Sequence, residues 1–203
     1  MERWVIETHD RRLTAAPSVS NGVAFFGTWG YPDGNLYAVD VHSGSKLWAY
    51  PIDGAVSSPA AIVEDTVYVR EHTSGDVFAV DARTGHELWS IRGGADGGWT
   101  SPAVSGDTVF FGPYDGHLHA ADRKTGQQIW TLRLSGSSAR FVLADGVLYL
   151  VSGSFLYALD AETGSELWDI HVPNAWSHPV VADGRVYIGT REPASVRAFQ
   201  ADS

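Results

Sequence analysis

The chain contains four copies of the segment Asp81-Ala82-Arg83-Thr84-Gly85-His86-Glu87-Leu88-Trp89, with small changes. Each copy reads Asp, two variable residues, Thr or Ser, Gly, two variable residues, Leu or Ile, and Trp. The copies run over residues 40–48, 81–89, 122–130 and 160–168, so their Asp residues are 41, 41 and 38 positions apart. A period near forty residues is typical of repeat architectures, in which every repeat is one supersecondary unit.

Each copy predicts a strand, a turn and a second strand. Alternating apolar residues precede the Asp, as in Val77-Phe78-Ala79-Val80, and indicate a short strand. We expect the Asp carboxylate to accept hydrogen bonds from backbone amides two and three residues on. The Gly supplies the positive φ of a type I turn with a bulge. The Trp lies on the next strand, where we interpret it as a packing wedge between neighbouring sheets.

A second recurring block lies between these copies. It reads as a strand, a turn of the Asn-Gly or Asp-Gly kind, and another strand. Its copies cover residues 17–27, 59–69, 102–112, 141–151 and 179–189. One full repeat therefore has four strands, which we label a, b, c and d in chain order. Four-stranded antiparallel units repeated about every forty residues predict the blades of a β-propeller.

The number of repeats predicts five blades in a single domain over residues 1–203. The blades cover approximately residues 14–52, 56–93, 99–134, 138–172, and 176–200 plus 2–8. The last repeat has no d strand of its own, whereas residues 2–8, with Trp4, resemble a d strand without a blade. We therefore predict that the N-terminal strand completes the last blade and closes the ring. An open fragment, or a ring built from two chains, is the alternative.

Composition limits the function classes. The 203 residues are 44% hydrophobic, carry a net charge of −10 and include no Cys, which excludes disulfides, thiolate nucleophiles and Cys-ligated metals. An acidic chain without a basic cluster does not favour nucleic acid or anionic lipid as a partner.

No apolar run is long enough for a membrane helix. The first residues show no signal-peptide core, so we expect a cytoplasmic monomer, or an extracytoplasmic one if a signal or anchor was removed. A domain of a larger protein is the alternative.

The pattern Leu-Tyr-Ala-Val-Asp-x-x-Thr-Gly-x-x-x-Trp, followed by Ser-Ser-Pro-Ala and Asp-Gly-x-Val-Tyr, resembles the pyrroloquinoline-quinone-like propeller repeat. This family, with a propeller architecture like that of WD40 repeats, includes quinoprotein dehydrogenases, an outer-membrane assembly scaffold and sensor modules of bacterial kinases. The resemblance implies an adjacent Cys pair and a Glu, Asn and Asp calcium site in the dehydrogenases, and this chain lacks the Cys pair and shows no equivalent set. We therefore expect no quinone cofactor, and calcium is an alternative that no ligand set supports. The scaffold of the family has eight blades and a lipidation Cys, and neither feature is present here.

The d–a and b–c connections share one side of the repeat, which we call the loop face. Because the repeats differ most there, we expect the site on this face. Arg140 takes a position where two other repeats have Ser, and it is a candidate anchor for an anion or a member of an ion pair. The predicted ligand-binding residues are Trp29, Tyr31, Arg70, Trp99, Tyr114, Arg140, Phe141, Trp176, His178 and Arg191.

We predict a non-catalytic ligand-binding or sensor module that binds a small molecule or peptide on the loop face. One alternative is an enzyme that uses acid–base chemistry on a small substrate. The candidate catalytic residues for that alternative are Glu71, His72, Asp115, His117 and His178. A protein-interaction scaffold is the other alternative. No His or carboxylate spacing specifies a metal site.

Overall fold

A computed structural model describes residues 3–8, 12–13, 15–30, 34–93, 100–112, 116–134 and 139–201, with residue 139 described for its backbone alone. This part of the chain is all β, with five antiparallel sheets formed in chain order, here numbered I to V. It contains no helix of the length and hydropathy needed to cross a membrane. The predicted all-β class is confirmed.

Sheet I contains five strands and sheets II and III contain four each. In sheet I two short strands share the place of strand a, because both pair with β3 at opposite ends. The strands of sheet I are β1 (Arg12–Leu13), β2 (Ser18–Ser20), β3 (Val23–Trp29), β4 (Gly34–Asp40) and β5 (Lys46–Ile52). Sheet II has β6 (Ala61–Val63), β7 (Thr66–Arg70), β8 (Val77–Asp81) and β9 (Glu87–Ile91). Sheet III has β10 (Ala103–Ser105), β11 (Thr108–Phe111), β12 (His117–Asp122) and β13 (Gln128–Arg133).

Sheet IV repeats the four-stranded order, and sheet V has strands a to c in the described residues. Sheet IV has β14 (Ala139–Ala144), β15 (Val147–Ser152), β16 (Phe155–Asp160) and β17 (Glu166–His171). Sheet V has β18 (Val180–Ala182), β19 (Arg185–Thr190) and β20 (Ser195–Gln200). The strands a, b, c and d predicted from the repeat thus appear in this order in sheets I to IV, and sheet V has the first three of them among the described residues.

The Asp of each repeat closes the c–d turn as predicted. Asp81 Oδ1 accepts hydrogen bonds from the amides of Arg83 (3.1 Å) and Thr84 (2.7 Å) and from the Thr84 hydroxyl (2.7 Å). Gly85 follows with φ +73°, and the strand register shifts at Ala79 and Val80, which is the expected bulge. The turns after Asp40, Asp122 and Asp160 repeat this geometry.

The repeated Trp packs against the next sheet in the chain, through that sheet's turn. The Trp48 indole N–H donates to the carbonyl of Ala82 (3.0 Å), and its ring lies over Gly85. In the same way, the Trp89 indole N–H donates a hydrogen bond to the Arg123 carbonyl (3.0 Å), and its ring covers Gly126. A Cβ on these glycines would enter the indole ring, so Gly is needed for space as well as for its positive φ. The wedge interpretation of the Trp is confirmed.

Apolar cores fill the spaces between consecutive sheets. Separate clusters join sheets I and II, II and III, III and IV, and IV and V. A fifth cluster packs Trp4 and Ile6 against Phe26, Tyr37 and Val39 of sheet I. The inner strands contact their neighbours in the same order. Sheets II, III and IV therefore each bury both faces, one against the sheet before and one against the sheet after in the chain.

The predicted closure of the ring does not appear among the described residues. Residues 3–8 form no strand there, and no pairing joins them to β20, whose burial alternates between intermediate and exposed along its whole length. The Trp4 side chain nevertheless docks like a repeat Trp, because its N–H donates to the Val41 carbonyl (2.9 Å) and its ring covers Gly44. Indole docking and strand pairing are separate interactions, and the Trp pattern specifies the first alone.

Candidate functional site

The junction of sheets I and II brings together two residues predicted for the site. Trp29 ends β3, and its ring lies 5.3 Å from the ring of His72, which follows sheet II strand b. Ala55, in the d–a connection between the two sheets, links them: it forms a β-bridge with Trp29, and its carbonyl accepts from the His72 amide (2.7 Å). Both rings are partly buried, so they form a packed aromatic pair at this end of the sheets.

Glu71 and Arg70 are buried in contacts between loops. The side chain of Glu71 is 1% exposed; its carboxylate accepts from the Ala55 amide (2.8 Å) and from the Ser74 amide. Burial raises the pKa of Glu71, but hydrogen bonds from the amides of Ser74, Thr73 and Ala55 outweigh it and lower the pKa below its usual value. Glu71 therefore holds the d–a loop against the b–c turn as a carboxylate.

The guanidinium of Arg70 joins sheet II to sheet III. Its Nη1 donates to Thr100 Oγ1 (3.2 Å) and to the Gly112 carbonyl (3.4 Å), and Arg70 is 2% exposed. A ligand on the surface would have to displace these contacts. The structure thus places Arg70 beneath the loop face and not on it.

His117 belongs to a packed group of rings on sheet III. Its ring centroid lies 6.2 Å from that of His119, which stacks on Phe111 at 5.4 Å with an interplanar angle of 8°. His119 is buried. The two His residues lie on one side of β12, as their spacing of two positions requires.

Sheets IV and V bring together a charged aromatic cluster from three separate elements. Trp176 lies in the d–a connection, where its amide donates to the Gly189 carbonyl (2.9 Å) near the end of β19. The guanidinium carbon of Arg191, in the turn after β19, lies 3.0 Å from the Trp176 ring centroid. The guanidinium carbon of Arg140, at the start of β14, lies 4.6 Å from it. Trp176 is 48% exposed, so the ring is accessible from solvent. We call Arg140, Trp176 and Arg191 the Arg–Trp–Arg cluster.

His178 adjoins this cluster electrostatically. Partial burial and then the positive charge of Arg140 lower the pKa of His178 below its usual value. The imidazole is therefore neutral at pH 7, and Arg140 is the charged member of this pair.

An open groove of about 510 Å³ runs beside His178 across the inner strands. Phe141, which follows Arg140 in β14, lines the groove together with Val142 and Leu143. Pro102, Ala103 and Val104 of sheet III form the opposite lining. The lining also includes the polar residues Thr100, Ser101 and His178, so the groove is mixed in character, and Arg140 lies next to its wall in sequence.

The predicted site residues divide into separate groups. Trp29 packs with His72 and His117 with His119, whereas Arg70 and Glu71 are buried in separate hydrogen bonds. Arg140, Trp176 and Arg191 form the Arg–Trp–Arg cluster, and Phe141 and His178 line the groove. Tyr31, Trp99, Tyr114 and Asp115 lie outside the described residues. Sequence reasoning selected Trp176 and Arg191 individually but missed their stacking, because nothing in the pattern indicates that the turn after β19 folds back on the d–a loop.

The donors for a quinone and calcium centre do not fit. The described residues contain no group of three or more His, Asp or Glu side chains that could hold a metal, and the chain has no Cys for an adjacent Cys pair.

Comparisons with known proteins agree with the repeat pattern. A family profile described as outer membrane protein assembly factor BamB matches residues 2–140 and 114–203. No curated protein matches the chain. BamB from Moraxella catarrhalis superimposes with a TM-score of 0.64 at 22% identity, over 98% of this chain and 77% of that one.

Two dehydrogenases and a designed protein share the fold. The quinohemoprotein alcohol dehydrogenase ADHIIG from Pseudomonas putida superimposes with a TM-score of 0.69 at 21% identity, over 96% of this chain and 42% of its own. A europium-containing methanol dehydrogenase superimposes with a TM-score of 0.68 at 16% identity, over 91% of this chain and 50% of that one. The computationally designed Ika8 protein superimposes with a TM-score of 0.61 at 19% identity, over 96% of this chain and 72% of that one. The chain thus spans half the length, or less, of the two dehydrogenases.

Proposed function

Because the chain belongs to the PQQ-like repeat family described as outer membrane protein assembly factor BamB, we propose that it is a non-catalytic binding module. Its ligand is a peptide segment of a partner protein, which it binds on the loop face. A free small molecule that binds on the same face is the alternative ligand. The observation that supports it is Trp176, a large aromatic side chain that is 48% exposed and lies under the guanidinium of Arg140, the residue that precedes Phe141 of the groove wall. Exposed aromatic residues next to arginines are typical of the residues that dominate binding energy in protein interfaces.

The five sheets are, in this proposal, five blades of a β-propeller. Consecutive inner strands contact one another, and each repeat Trp docks on the next sheet, as the blades of a propeller do. Residues 2–8 complete the last blade by pairing with β20. In support of this, Trp4 already takes on sheet I the place that the Trp of a preceding blade would take.

Ring closure can be tested by a disulfide between engineered cysteines. In sheet IV Tyr157 pairs with Asp169, and the equivalent positions at the closure are Arg197 and Val5. Residues directly opposite on paired strands are close enough for a disulfide. Since the chain has no native Cys, the double variant Val5→Cys/Arg197→Cys should form one disulfide within a monomer. Covalent dimers would indicate a ring from two chains, and two free thiols would refute closure.

The acid–base alternative lacks comparable support. Both carboxylate oxygens of Glu71 accept backbone amides, so its place is structural. His72 packs against Trp29, and His117 adjoins the buried His119. These contacts favour binding over catalysis at the loop face.

A peptide-display selection tests the binding proposal. Random peptides are selected on the immobilised protein and then measured against two variants, Trp176→Ala and Leu88→Ala. Leu88 is a matched control because it is 52% exposed but lies on strand d of sheet II. We expect binders whose affinity falls at least tenfold with Trp176→Ala and stays unchanged with Leu88→Ala. A selection without Trp176-dependent binders would refute the proposal.

A further inference from the structure

We propose that the Arg–Trp–Arg cluster is a carboxylate-binding site that selects acidic polypeptide segments. The inference rests on the proposed function, which it deepens by naming the chemistry of the ligand. It starts from the distances of Arg140 and Arg191 to the Trp176 ring, 4.6 Å and 3.0 Å. The two guanidinium carbons are no farther apart than the sum of these distances. Two positive charges are therefore held close together by separate elements of sheets IV and V.

No carboxylate neutralises this pair within the described part of the chain. The ion pairs there join Arg123 to Glu64 and Asp107, and Lys124 to Asp107. Neither Arg140 nor Arg191 has an Asp or Glu oxygen within ion-pair distance among the described residues. The protein as a whole has a net charge of −10, so a locally positive site departs from the average charge of its surface. Such a site attracts anions.

Stacking on the indole prepares both guanidinium groups for binding. A guanidinium that lies over an aromatic ring uses its face for the cation–π contact, and its N–H groups stay directed outward from its edge. That edge matches the two oxygens of a carboxylate. Because the ring already restricts both side chains, less conformational entropy is lost when a carboxylate binds.

The groove beside the cluster indicates a polypeptide ligand. Phe141, Val142 and Leu143 follow Arg140 along the groove wall, and Pro102 and Val104 lie across from them. An extended segment with an acidic residue at the cluster would bring a neighbouring apolar side chain to this lining. A free dicarboxylate would use the cluster alone and leave the groove empty.

His178 adds no further positive charge to the cluster at neutral pH. Burial and Arg140 lower its pKa, so the imidazole is neutral there and can only donate or accept a hydrogen bond. The attraction for carboxylates therefore depends on the two arginines.

The test uses the peptides from the display selection and charge-neutralising variants. We expect the Trp176-dependent binders to be enriched in Asp and Glu beside an apolar residue. Arg140→Gln and Arg191→Gln should each weaken binding of a fluorescein-labelled acidic binder by about tenfold to a hundredfold, since a hydrogen bond to a charged group contributes about 1.5–3 kcal/mol. Replacing the acidic residues of the peptide by Asn and Gln should cause a similar loss.

Arg185→Gln is the matched control. Arg185 is exposed at the opposite end of β19 and its replacement makes the same change in net charge, but it lies far along the strand from Thr190 and the cluster. We expect unchanged binding with this variant, and unchanged circular dichroism and urea midpoints for all three. An equal loss with Arg185→Gln would show that only net charge matters and would overturn the site.

The remaining outcomes separate the two proposals. Trp176-dependent binders without acidic enrichment, or unaffected by Arg140→Gln, would overturn the carboxylate site and leave the binding module standing. An absence of Trp176-dependent binders would overturn the binding module itself. Succinate is the second probe: competition at millimolar concentration or weaker supports a peptide ligand, whereas competition at micromolar concentration would refute selection for polypeptides.

Discussion

Replacing Gly126 by Ala should destabilise the protein mainly through its contact with Trp89. The new Cβ would lie 2.9 Å from Trp89 Cδ2 and 3.0 Å from Cε3, closer than real Cβ contacts. Gly126 also has φ +71°, which costs an L-residue about 1–2 kcal/mol. Overpacking a filled site adds about 1–3 kcal/mol. We therefore expect a loss of about 2–5 kcal/mol in the free energy of unfolding.

Gly146→Ala is the control that isolates the backbone cost. Gly146 has φ +79°, and nothing lies within 4 Å of the position that a Cβ would take. Its replacement should cost about 1–2 kcal/mol, the backbone contribution alone. The difference between the two variants then measures the clash with the indole.

A double-mutant cycle tests whether the indole is responsible. Trp89 is 8% exposed, and Trp89→Ala should cost about 3–5 kcal/mol as a cavity forms. The Arg123 carbonyl keeps a partner in that variant, because the Tyr68 hydroxyl also donates to it (3.0 Å). In the Trp89→Ala background Gly126→Ala should cost about 1–2 kcal/mol, so the two changes couple by about 1–3 kcal/mol.

The assay is urea unfolding followed by circular dichroism, with m-values compared among the four proteins of the cycle. Strictly additive losses would refute the reasoning, because they would mean that Gly126 is needed for its φ alone. Equal losses for Gly126→Ala and Gly146→Ala would lead to the same conclusion.

Three further outcomes are expected. The hydroxyl and amide of Thr84 lower the pKa of Asp81, as equivalent residues do at the other three turns. The stability contributed by these carboxylates is therefore fully present above pH about 4, and it is lost as the pH falls through the lowered pKa. A urea midpoint that does not fall between pH 5 and 2, or a fall that Asp81→Asn leaves unchanged, would contradict this. Glu64→Gln should lower the urea midpoint only slightly and lose this effect in 1 M salt, because the ion pair with Arg123 is exposed on the Glu64 side. A large loss that persists in 1 M salt would refute this. Trp4→Ala should reduce hydrogen-exchange protection in sheet I and leave sheet IV unchanged, because Trp4 packs on sheet I; equal loss in both sheets would show that the contact controls the whole fold.

Much of the fold could be predicted because the repeat carries local interactions. The Asp81 turn needs a carboxylate, a hydroxyl and a Gly within five residues, and these are visible in one segment. The same is true of the alternating strands on either side. Local hydrogen bonding and side-chain alternation depend on residues near one another in sequence, so the two recurring patterns together were enough to predict all four strands of a repeat.

The partners across sheets were decided by the tertiary structure. Gly126 is needed for space as well as for its φ because Trp89, 37 positions earlier, packs over it. Likewise Trp176 and Arg140 belong to different sheets, and Arg191 reaches them only because the turn after β19 folds over the d–a loop. Arg70 shows the reverse case: its position at a b–c connection placed it on the predicted loop face, whereas it is buried and donates to Thr100 and Gly112.

The sequence alone thus determined the all-β class, the four-stranded repeat and the residue types available on the loop face. The three-dimensional arrangement decided which of those residues meet, and within the described residues it shows Trp4 docked on sheet I without a paired strand. The physical reason is the range of the interactions. Turns and strands are specified by neighbours along the chain, whereas cation–π contacts, indole docking and strand pairing at the ends depend on how separate sheets pack in space.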